Sequence, residues 1–176
     1  NNPIKLVDPN GEEIVIVSSD GQHQYTYMNG KLINKNTNEE YRGGDAFVDN
    51  ARNKLDQIRG TKTGGKIVDD LQEKGYTVTI YNNTNKSHTY PYEDKSGSSI
   101  GWKQSGDEVP TTGGMLANGT ISLAHELVHS YDHKHDGDMD KSQENASRYE
   151  GLARCEWVAV FYENVIRQEL YGDNAS

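Results

Sequence analysis

The sequence predicts an α+β fold in which a small, mostly antiparallel β-sheet packs against helices. Short runs rich in β-branched and aromatic residues, separated by Asn-Gly turns, fill the first part of the chain, as in β-hairpins. Longer segments with apolar residues at helical spacing follow. The last two of these segments predict a helix over about residues 120–134 and a C-terminal helix packed beside it.

The composition indicates one polar domain with a thin hydrophobic core. The 176 residues are 32% hydrophobic, with a mean hydropathy of -0.92 and a formal net charge of -9. An acidic chain repels phosphates, which argues against nucleic acid and anionic membrane surfaces and mildly favours substrates with basic character. No apolar run approaches the roughly 20 residues of a membrane span, so membrane insertion is not expected.

The β-rich part begins with hairpins and continues to one strong strand. Residues 14–17 and 24–28 are β-type runs, and the turns beside them are Asn10-Gly11 and Asn29-Gly30. Residues 76–81, YTVTIY, form the clearest strand because β-branched and aromatic side chains alternate there.

Two helices are predicted before the clearest strand, and a loop and a short strand after it. Apolar side chains recur at helical spacing over residues 45–59, and a shorter helix covers about residues 66–74, before Gly75. We expect residues 82–98 to form a polar loop and residues 99–103 a short strand.

The segment HELVHSYDHKH, residues 125–135, crowds four histidines and two acidic residues into eleven positions. Apolar residues at 121, 124, 127, 128 and 131 predict a helix, with Thr120 or Ser122 as its N-cap. On a helix, His125 and His129 leave the same face, where two imidazoles can hold one ion.

Glu126 lies about 100° around this helix from the histidine beside it, so its carboxylate reaches a water on the ion rather than the ion itself. Two histidine ligands, a glutamate general base and an open coordination position are typical of a zinc metalloprotease. The alternative is a surface helix whose histidines are merely solvated. The apolar residues around the motif favour the catalytic interpretation, because they bury the helix.

The C-terminal helix is the element that offers a third protein ligand. It is predicted from about residue 147, where Ser147-x-x-Glu150 forms a capping box, to residue 170. The single Cys155 lies in this apolar run, and we expect a buried, inert thiol there.

Three charged residues of this helix, spaced seven and four residues apart, fall on one stripe: Glu156, Glu163 and Arg167. A buried polar stripe needs partners, and packing against the histidine helix supplies them. Glu163 has Arg167 four residues later, the spacing of a favourable ion pair. Glu156 has Ala and Val at positions 159 and 160, so it stays unpaired and is the predicted third ligand, with Glu163 as an alternative.

His135 is the other alternative, since it follows His129 by the six residues of the metzincin motif. Asp132 replaces the glycine that turns a metzincin chain back toward the metal, and no helix break is signalled before about Gly137. His135 is therefore predicted to point away from the metal. Asp132 is better placed to accept a histidine N–H.

HELVH followed by EWVAVFYENVIRQEL resembles the NleD-like effector metallopeptidases, which are zincins with a Glu-x-x-Ala-x-x-x-Glu-Asn-x-x-Arg type of helix after the zinc-binding helix. The first residues, NNPIKLVDPNGEE, resemble the end of an Rhs repeat core, where a variable toxin domain begins. The resemblance implies an Rhs-type junction over residues 1–13 and a zincin-like metallopeptidase domain over residues 14–176. It also implies His125 and His129 as ligands, Glu126 as the base and a glutamate of the last helix as third ligand.

Together these features predict a zinc-dependent endopeptidase that acts on a protein substrate and is secreted or delivered into a target cell as part of a larger protein. A toxin of this kind implies an immunity protein as a partner. Tyr162 and Arg167 are both candidates to stabilise the oxyanion. The strand near residues 100–103 either pairs with an extended substrate or is purely structural.

Two alternatives have no catalysis. In one, zinc is structural in a binding module, and His133 or His135 completes four protein ligands. In the other, a degenerate zincin binds the metal without turnover.

Overall fold

The computed structural model of the chain describes residues 13–73, 75–110, 116–136 and 154–172. These residues form an α+β fold, as predicted, with a six-stranded sheet, a two-stranded sheet and four helices. The strands are β1 (Glu13–Val17), β2 (Gln24–Met28), β3 (Lys31–Asn34), β4 (Thr77–Asn82), β5 (His88–Pro91), β6 (Gly97–Trp102), β7 (Asp107–Pro110) and β8 (Leu116–Ala117). The helices are α1 (Ala46–Arg59), α2 (Lys62–Leu71), α3 (Gly119–Asp136) and α4 (Arg154–Tyr171).

The large sheet is mixed, in the order β3-β2-β1-β4-β6-β5. Its outer pairings, β1 with β2, β2 with β3 and β5 with β6, are antiparallel. Its centre is parallel, because β4 pairs in parallel with both β1 and β6. The sequence indicated antiparallel hairpins but not the parallel centre, which requires the crossover through α1 and α2 between β3 and β4.

The predicted hairpin between β2 and β3 is present. Asn29 and Gly30 form its turn with φ values of 53° and 84°, the left-handed pair that a two-residue hairpin turn requires. The predicted turn at Asn10-Gly11 lies outside the described residues. The predicted strands over residues 14–17 and 76–81 agree with β1 and β4 to within a residue.

The predicted polar loop over residues 82–98 is wrong, because it contains β5 and the start of β6. The sequence of β5, HTYP, is short and polar, and its strand conformation comes from pairing with β6.

Helix α2 begins at Lys62, four residues before the predicted start, and Thr61 caps it by accepting the Gly64 N–H. The glycines near its start allow a close helix contact. A Cβ on Gly64 would lie 2.3 Å from the Ile58 carbonyl oxygen of α1.

The core lies between one face of the large sheet and the helices. Its largest fully buried side chains include Trp102, Tyr27, Tyr76, Phe47 and Leu55. The Trp102 indole N–H donates to the Gly119 carbonyl at 2.9 Å, which ties β6 to the start of α3. No helix within the described ranges is long and apolar enough to cross a membrane.

Helix α3 is capped by Asn118, whose side-chain oxygen accepts the N–H groups of Thr120 and Ile121. The predicted caps Thr120 and Ser122 both lie inside the first turn instead. Their hydroxyls bond neighbouring elements, since Thr120 donates to Gln57 and Ser122 to Asp107.

Helices α3 and α4 pack antiparallel, because His125 meets Glu163 while His129 meets Glu156. The end of α4 is one residue beyond the prediction, and Cys155 is buried within it as expected. The predicted capping box at Ser147 lies outside the described residues.

Candidate metal centre

Two imidazoles of α3 face α4. The Nε2 atoms of His125 and His129 lie 3.1 Å apart. The Glu156 carboxylate completes the group, with Oε2 at 3.3 Å from His125 Nε2 and Oε1 at 3.4 Å from His129 Nε2. These three side chains each turn one ligand atom toward a common point and could hold a metal ion.

The spacing of the three donors suits a tetrahedral zinc ion. Ligand atoms at 2.0–2.1 Å from zinc, in tetrahedral directions, lie about 3.3–3.4 Å from one another. The two Nε2 atoms, 3.1 Å apart, are near that spacing, and each has a different Glu156 oxygen at 3.3–3.4 Å. With one oxygen taken from Glu156, the three ligand atoms all lie within 4.8 Å of one another. Two imidazoles and one carboxylate are a zinc-type donor set that leaves a fourth position open. The Glu156 side chain is 42% exposed, so the group faces solvent on that side.

A buried carboxylate orients the first histidine. His125 Nδ1 lies 2.9 Å from Glu163 Oε2, and the Arg167 guanidinium donates to the other Glu163 oxygen. With its Nδ1–H given to Glu163, His125 keeps the Nε2 lone pair for a metal. The predicted Glu163–Arg167 ion pair is confirmed. It also disfavours Arg167 as an oxyanion donor, because the guanidinium is 5% exposed and held by Glu163.

The carboxylates of α4 favour a positive charge between the helices. Burial lowers the pKa of His125, but the hydrogen bonds to Glu156 and Glu163 outweigh burial and raise that pKa to about 10. Hydrogen bonds to both histidines hold the pKa of Glu156 far below its usual range. A proton supplies the positive charge in the metal-free protein, and a bound cation would satisfy the same carboxylates.

Glu126 lies beside the donor group and is itself buried, at 7% exposure. Burial raises the pKa of its carboxyl group, and the nearby His129 and His125 oppose that rise. A carboxylate with a raised proton affinity is suited to general-base chemistry. Its Oε2 accepts the hydroxyl of Thr89, on β5, at 2.7 Å.

Thr89 is the residue of this site that sequence reasoning missed. It lies in the stretch that was predicted to be a loop, and nothing in its neighbourhood follows a strand pattern. The signal that could have found it is a short polar segment able to form an edge strand next to the histidine helix.

One protein-family model matches most of the chain. The family model Peptidase_M91, described as an effector protein, matches residues 34–164, about three quarters of the chain. The matched range contains the two histidines, Glu126 and Glu156. The chain belongs to this effector peptidase family. No curated protein and no solved structure matches it.

Membership in Peptidase_M91 agrees with the resemblance to NleD-like effectors and implies a protein substrate. The first residues, which resemble an Rhs junction, precede the matched range.

The remaining histidines of α3 in this effector peptidase serve other contacts. His133 is buried, and its Nδ1 lies 2.7 Å from the Tyr76 hydroxyl. His135 points away from the donor group, as predicted, with Nε2 at 3.0 Å from Asp70 Oδ1. Neither joins the three-residue group, so four protein ligands are not assembled among the residues that the structure describes.

The predicted acceptor role of Asp132 is wrong for both histidines of the group. His125 gives its Nδ1–H to Glu163 of α4. His129 Nδ1 has no hydrogen-bond partner in the described part of the chain. For His125, Glu163 on the facing helix takes the acceptor role expected of Asp132, because α4 brings Glu163 level with His125.

Proposed function

We propose that the chain is a zinc-dependent endopeptidase in which His125, His129 and Glu156 hold the metal and Glu126 is the general base. The observation that carries the proposal is the convergence of the three side chains, whose ligand atoms lie within 4.8 Å of one another, beside a buried glutamate. Membership in a peptidase family supports the reaction class. The donor types and their spacing support zinc.

The residues of the site divide the work of peptide hydrolysis. When bound, zinc polarises the scissile carbonyl and lowers the pKa of a water molecule. Glu126 takes a proton from the attacking water and passes it to the leaving amine. Glu163 holds His125 in the tautomer that a metal needs, and Arg167 balances the charge of Glu163. Tyr162, half-buried on α4, remains our candidate for oxyanion stabilisation.

We expect an extended substrate to pair with β5 and not with the strand near residues 100–103. β6 has a strand on each side, so residues 100–103 cannot receive a further strand. β5 is the last strand of the sheet order. The Tyr92 N–H donates to the Gly97 carbonyl, so these two residues form a hydrogen-bonded pair of the antiparallel ladder. Hydrogen-bonded and non-hydrogen-bonded pairs alternate along such a ladder, and Thr89, three residues before Tyr92, falls in a non-hydrogen-bonded pair. Its backbone N–H and C=O groups therefore point away from β6. A substrate added there by β-augmentation would lie beside Glu126.

The proposal extends to the fold and the origin of the chain. The fold is zincin-like in our interpretation, because a motif-bearing helix lies under the edge of a mixed sheet and a second helix supplies the third donor. We also propose that residues 1–13 are an Rhs-type junction, that residues 14–176 are the metallopeptidase domain, and that the chain is a delivered effector with an immunity partner. The resemblance of its first residues and its effector family support this origin.

Metal analysis and cleavage mapping test the function directly. The purified chain is expected to contain one zinc per molecule and to create new protein N-termini in a cell lysate, and a chelator should abolish both. A chain without metal would refute the proposal. A chain with tightly held zinc and no cleavage would support the structural-zinc module or the degenerate zincin.

Production of the chain inside a susceptible cell tests the effector origin. The parent is expected to be toxic, and the Glu126→Gln variant harmless, since it lacks the general base. Equal toxicity of the two proteins would point to a binding function.

A further inference from the structure

The bond between Thr89 and Glu126 joins two layers of the fold. Thr89 is fixed by the sheet, where it lies opposite Ile100 of β6, while Glu126 is fixed by α3. The Thr89 Oγ1 lies 2.7 Å from Glu126 Oε2 and 3.1 Å from the Glu126 main-chain oxygen. A hydroxyl has one proton to donate. The carboxylate oxygen is both the closer acceptor and, because it is charged, the stronger one. The hydroxyl therefore holds the side chain of Glu126.

The contact selects one carboxylate oxygen. Oε2 of Glu126 is occupied by Thr89, so Oε1 is the oxygen left to meet a water molecule. The main-chain oxygen of Glu126 already has another partner, because the Ser130 hydroxyl donates to it at 3.3 Å. A general base acts well only when the accepting oxygen is held in the direction of the proton.

We propose that Thr89 is a positioning residue that fixes the Glu126 carboxylate so that Oε1 takes the proton of the attacking water. This inference rests on the proposed peptidase function. The side chain of Thr89 acts on the base, whereas its backbone groups lie on the strand edge where we expect the substrate. Loss of the hydroxyl alone should therefore change the catalytic step and leave substrate binding intact.

Valine and serine separate the hydroxyl from the shape of Thr89. Thr89→Val keeps the β-branched form that a strand favours and removes the donor, while Thr89→Ser keeps the donor. Thr26 offers a matched control, because its hydroxyl donates to Glu13 Oε2 between β2 and β1, which hold none of the donor group. Thr26→Val removes the same kind of bond without touching Glu126.

Steady-state kinetics on the zinc-loaded full chain provide the first measurement, with a synthetic peptide that spans a cleavage site found in the lysate. Thr89→Val should lower kcat about tenfold, the rate equivalent of one charge-assisted hydrogen bond, with KM unchanged. Thr89→Ser should keep most of kcat, and Thr26→Val should match the parent. A kcat for Thr89→Val equal to that of Thr26→Val, or equal losses in Thr89→Val and Thr89→Ser, would overturn the proposal.

A measurement without turnover separates this inference from the peptidase function. In protein carrying ¹³C-labelled glutamate, the Glu126 carboxylate resonance is the one that disappears in Glu126→Gln. Thr89→Val should shift that resonance, and Thr26→Val should leave it in place. An unmoved resonance in Thr89→Val would overturn the role of Thr89 even if the parent is active. An inactive parent would refute the peptidase function, and the resonance would still show whether Thr89 contacts the Glu126 carboxylate.

Discussion

Helix α3 carries two pairs of histidines, an upstream pair at positions 125 and 129 and a downstream pair at positions 133 and 135, and uses them differently. His125 and His129 are four residues apart, share one face and converge at 3.1 Å. His133 and His135 are two residues apart and diverge, one toward the buried Tyr76 and the other toward an aspartate near the surface. Histidine density alone therefore does not indicate a metal site.

The elements packed against each pair explain the difference. Helix α4 offers carboxylates to the upstream pair, from Glu156 and Glu163. The downstream pair meets a tyrosine hydroxyl of the core and Asp70 of α2. Only the upstream pair combines a shared face with acidic partners, so we expect only this pair to bind metal.

The largest expected effect comes from removing the general base beside the upstream pair while keeping the metal donors. Glu126→Gln should lower peptidase activity by about 10²–10⁴, because the amide cannot accept the proton of water. Zinc content should equal that of the parent, since Glu126 is outside the donor group. Cleavage of the peptide and elemental analysis of the same sample provide the measurement, and full activity of the variant would refute the mechanism.

Removing one histidine from each pair tests the comparison itself. His125→Ala should weaken zinc binding by more than about 100-fold, since loss of a ligand exceeds the 10–100-fold effect of losing a ligand's partner. His133→Ala should leave zinc binding unchanged and lower the free energy of unfolding by about 1–3 kcal/mol, because the buried Tyr76 hydroxyl loses its hydrogen bond to the imidazole. Competitive zinc titration measures the first effect and chemical denaturation the second. Equal zinc affinities of the two variants would break the comparison.

The two carboxylates that face the upstream pair should differ in role, one as a metal ligand and the other as a support for a ligand. Glu156→Ala should cut zinc affinity more than Glu163→Ala does. Glu163→Ala should lower the free energy of unfolding by about 3–5 kcal/mol, since Arg167 would remain buried without its partner. Glu163→Gln, which keeps an acceptor for His125, is the matched control. The reverse order of zinc affinities would contradict the assignment of Glu156.

The pH dependence of the metal-free protein gives a smaller effect. The folded pKa of His125, about 10, lies above its unfolded value, so its stabilisation is complete below about pH 6.5 and is lost as pH rises through the folded pKa. Chelator-treated protein should lose about 1 kcal/mol per pH unit between pH 7 and 10. Denaturation curves at several pH values provide the test, and zinc-loaded protein should show a flatter profile. A metal-free profile without this decline would contradict it.

The smallest effect is expected at the last histidine. His135 is 48% exposed and lies outside the donor group. His135→Ala should change neither zinc affinity nor activity, and the free energy of unfolding should stay within about 0.5 kcal/mol of the parent. Zinc titration and denaturation check this, and a loss of metal would show that the downstream pair contributes a ligand.

The sequence predicted those parts of the fold that local patterns determine. Helical periodicity placed α1, α3 and the end of α4, and an Asn-Gly turn placed the hairpin of β2 and β3. β5 was missed because its four residues carry no alternation of polar and apolar side chains. The start of α2 was missed because Gly64 and Gly65 resemble helix breakers, and their role in contact with α1 depends on tertiary packing.

The candidate site divides in the same way. Spacing within one helix identified His125, Glu126 and His129 as candidate site residues. The ion-pair spacing on α4 distinguished Glu163, which has a partner, from Glu156. Thr89 and the hydrogen bond from His125 to Glu163 join elements distant in sequence, and no local pattern records such contacts. The expected acceptor role of Asp132 was wrong for His125 because Glu163 on the facing helix supplies the acceptor, and His129 Nδ1 has no partner in the described part of the chain.

The antiparallel contact of α3 with α4 has a further consequence for the chain as a polymer. His129 and Glu156 are 27 positions apart, and a metal held by both closes that stretch into a ring. Closing a loop of this length has an entropic cost of about 3 kcal/mol by its logarithmic dependence on length. Folding brings the ends together in advance, so a bound metal ion would act as a cross-link between the helices. The metal available where the chain folds would then set how stably α4 is held against α3.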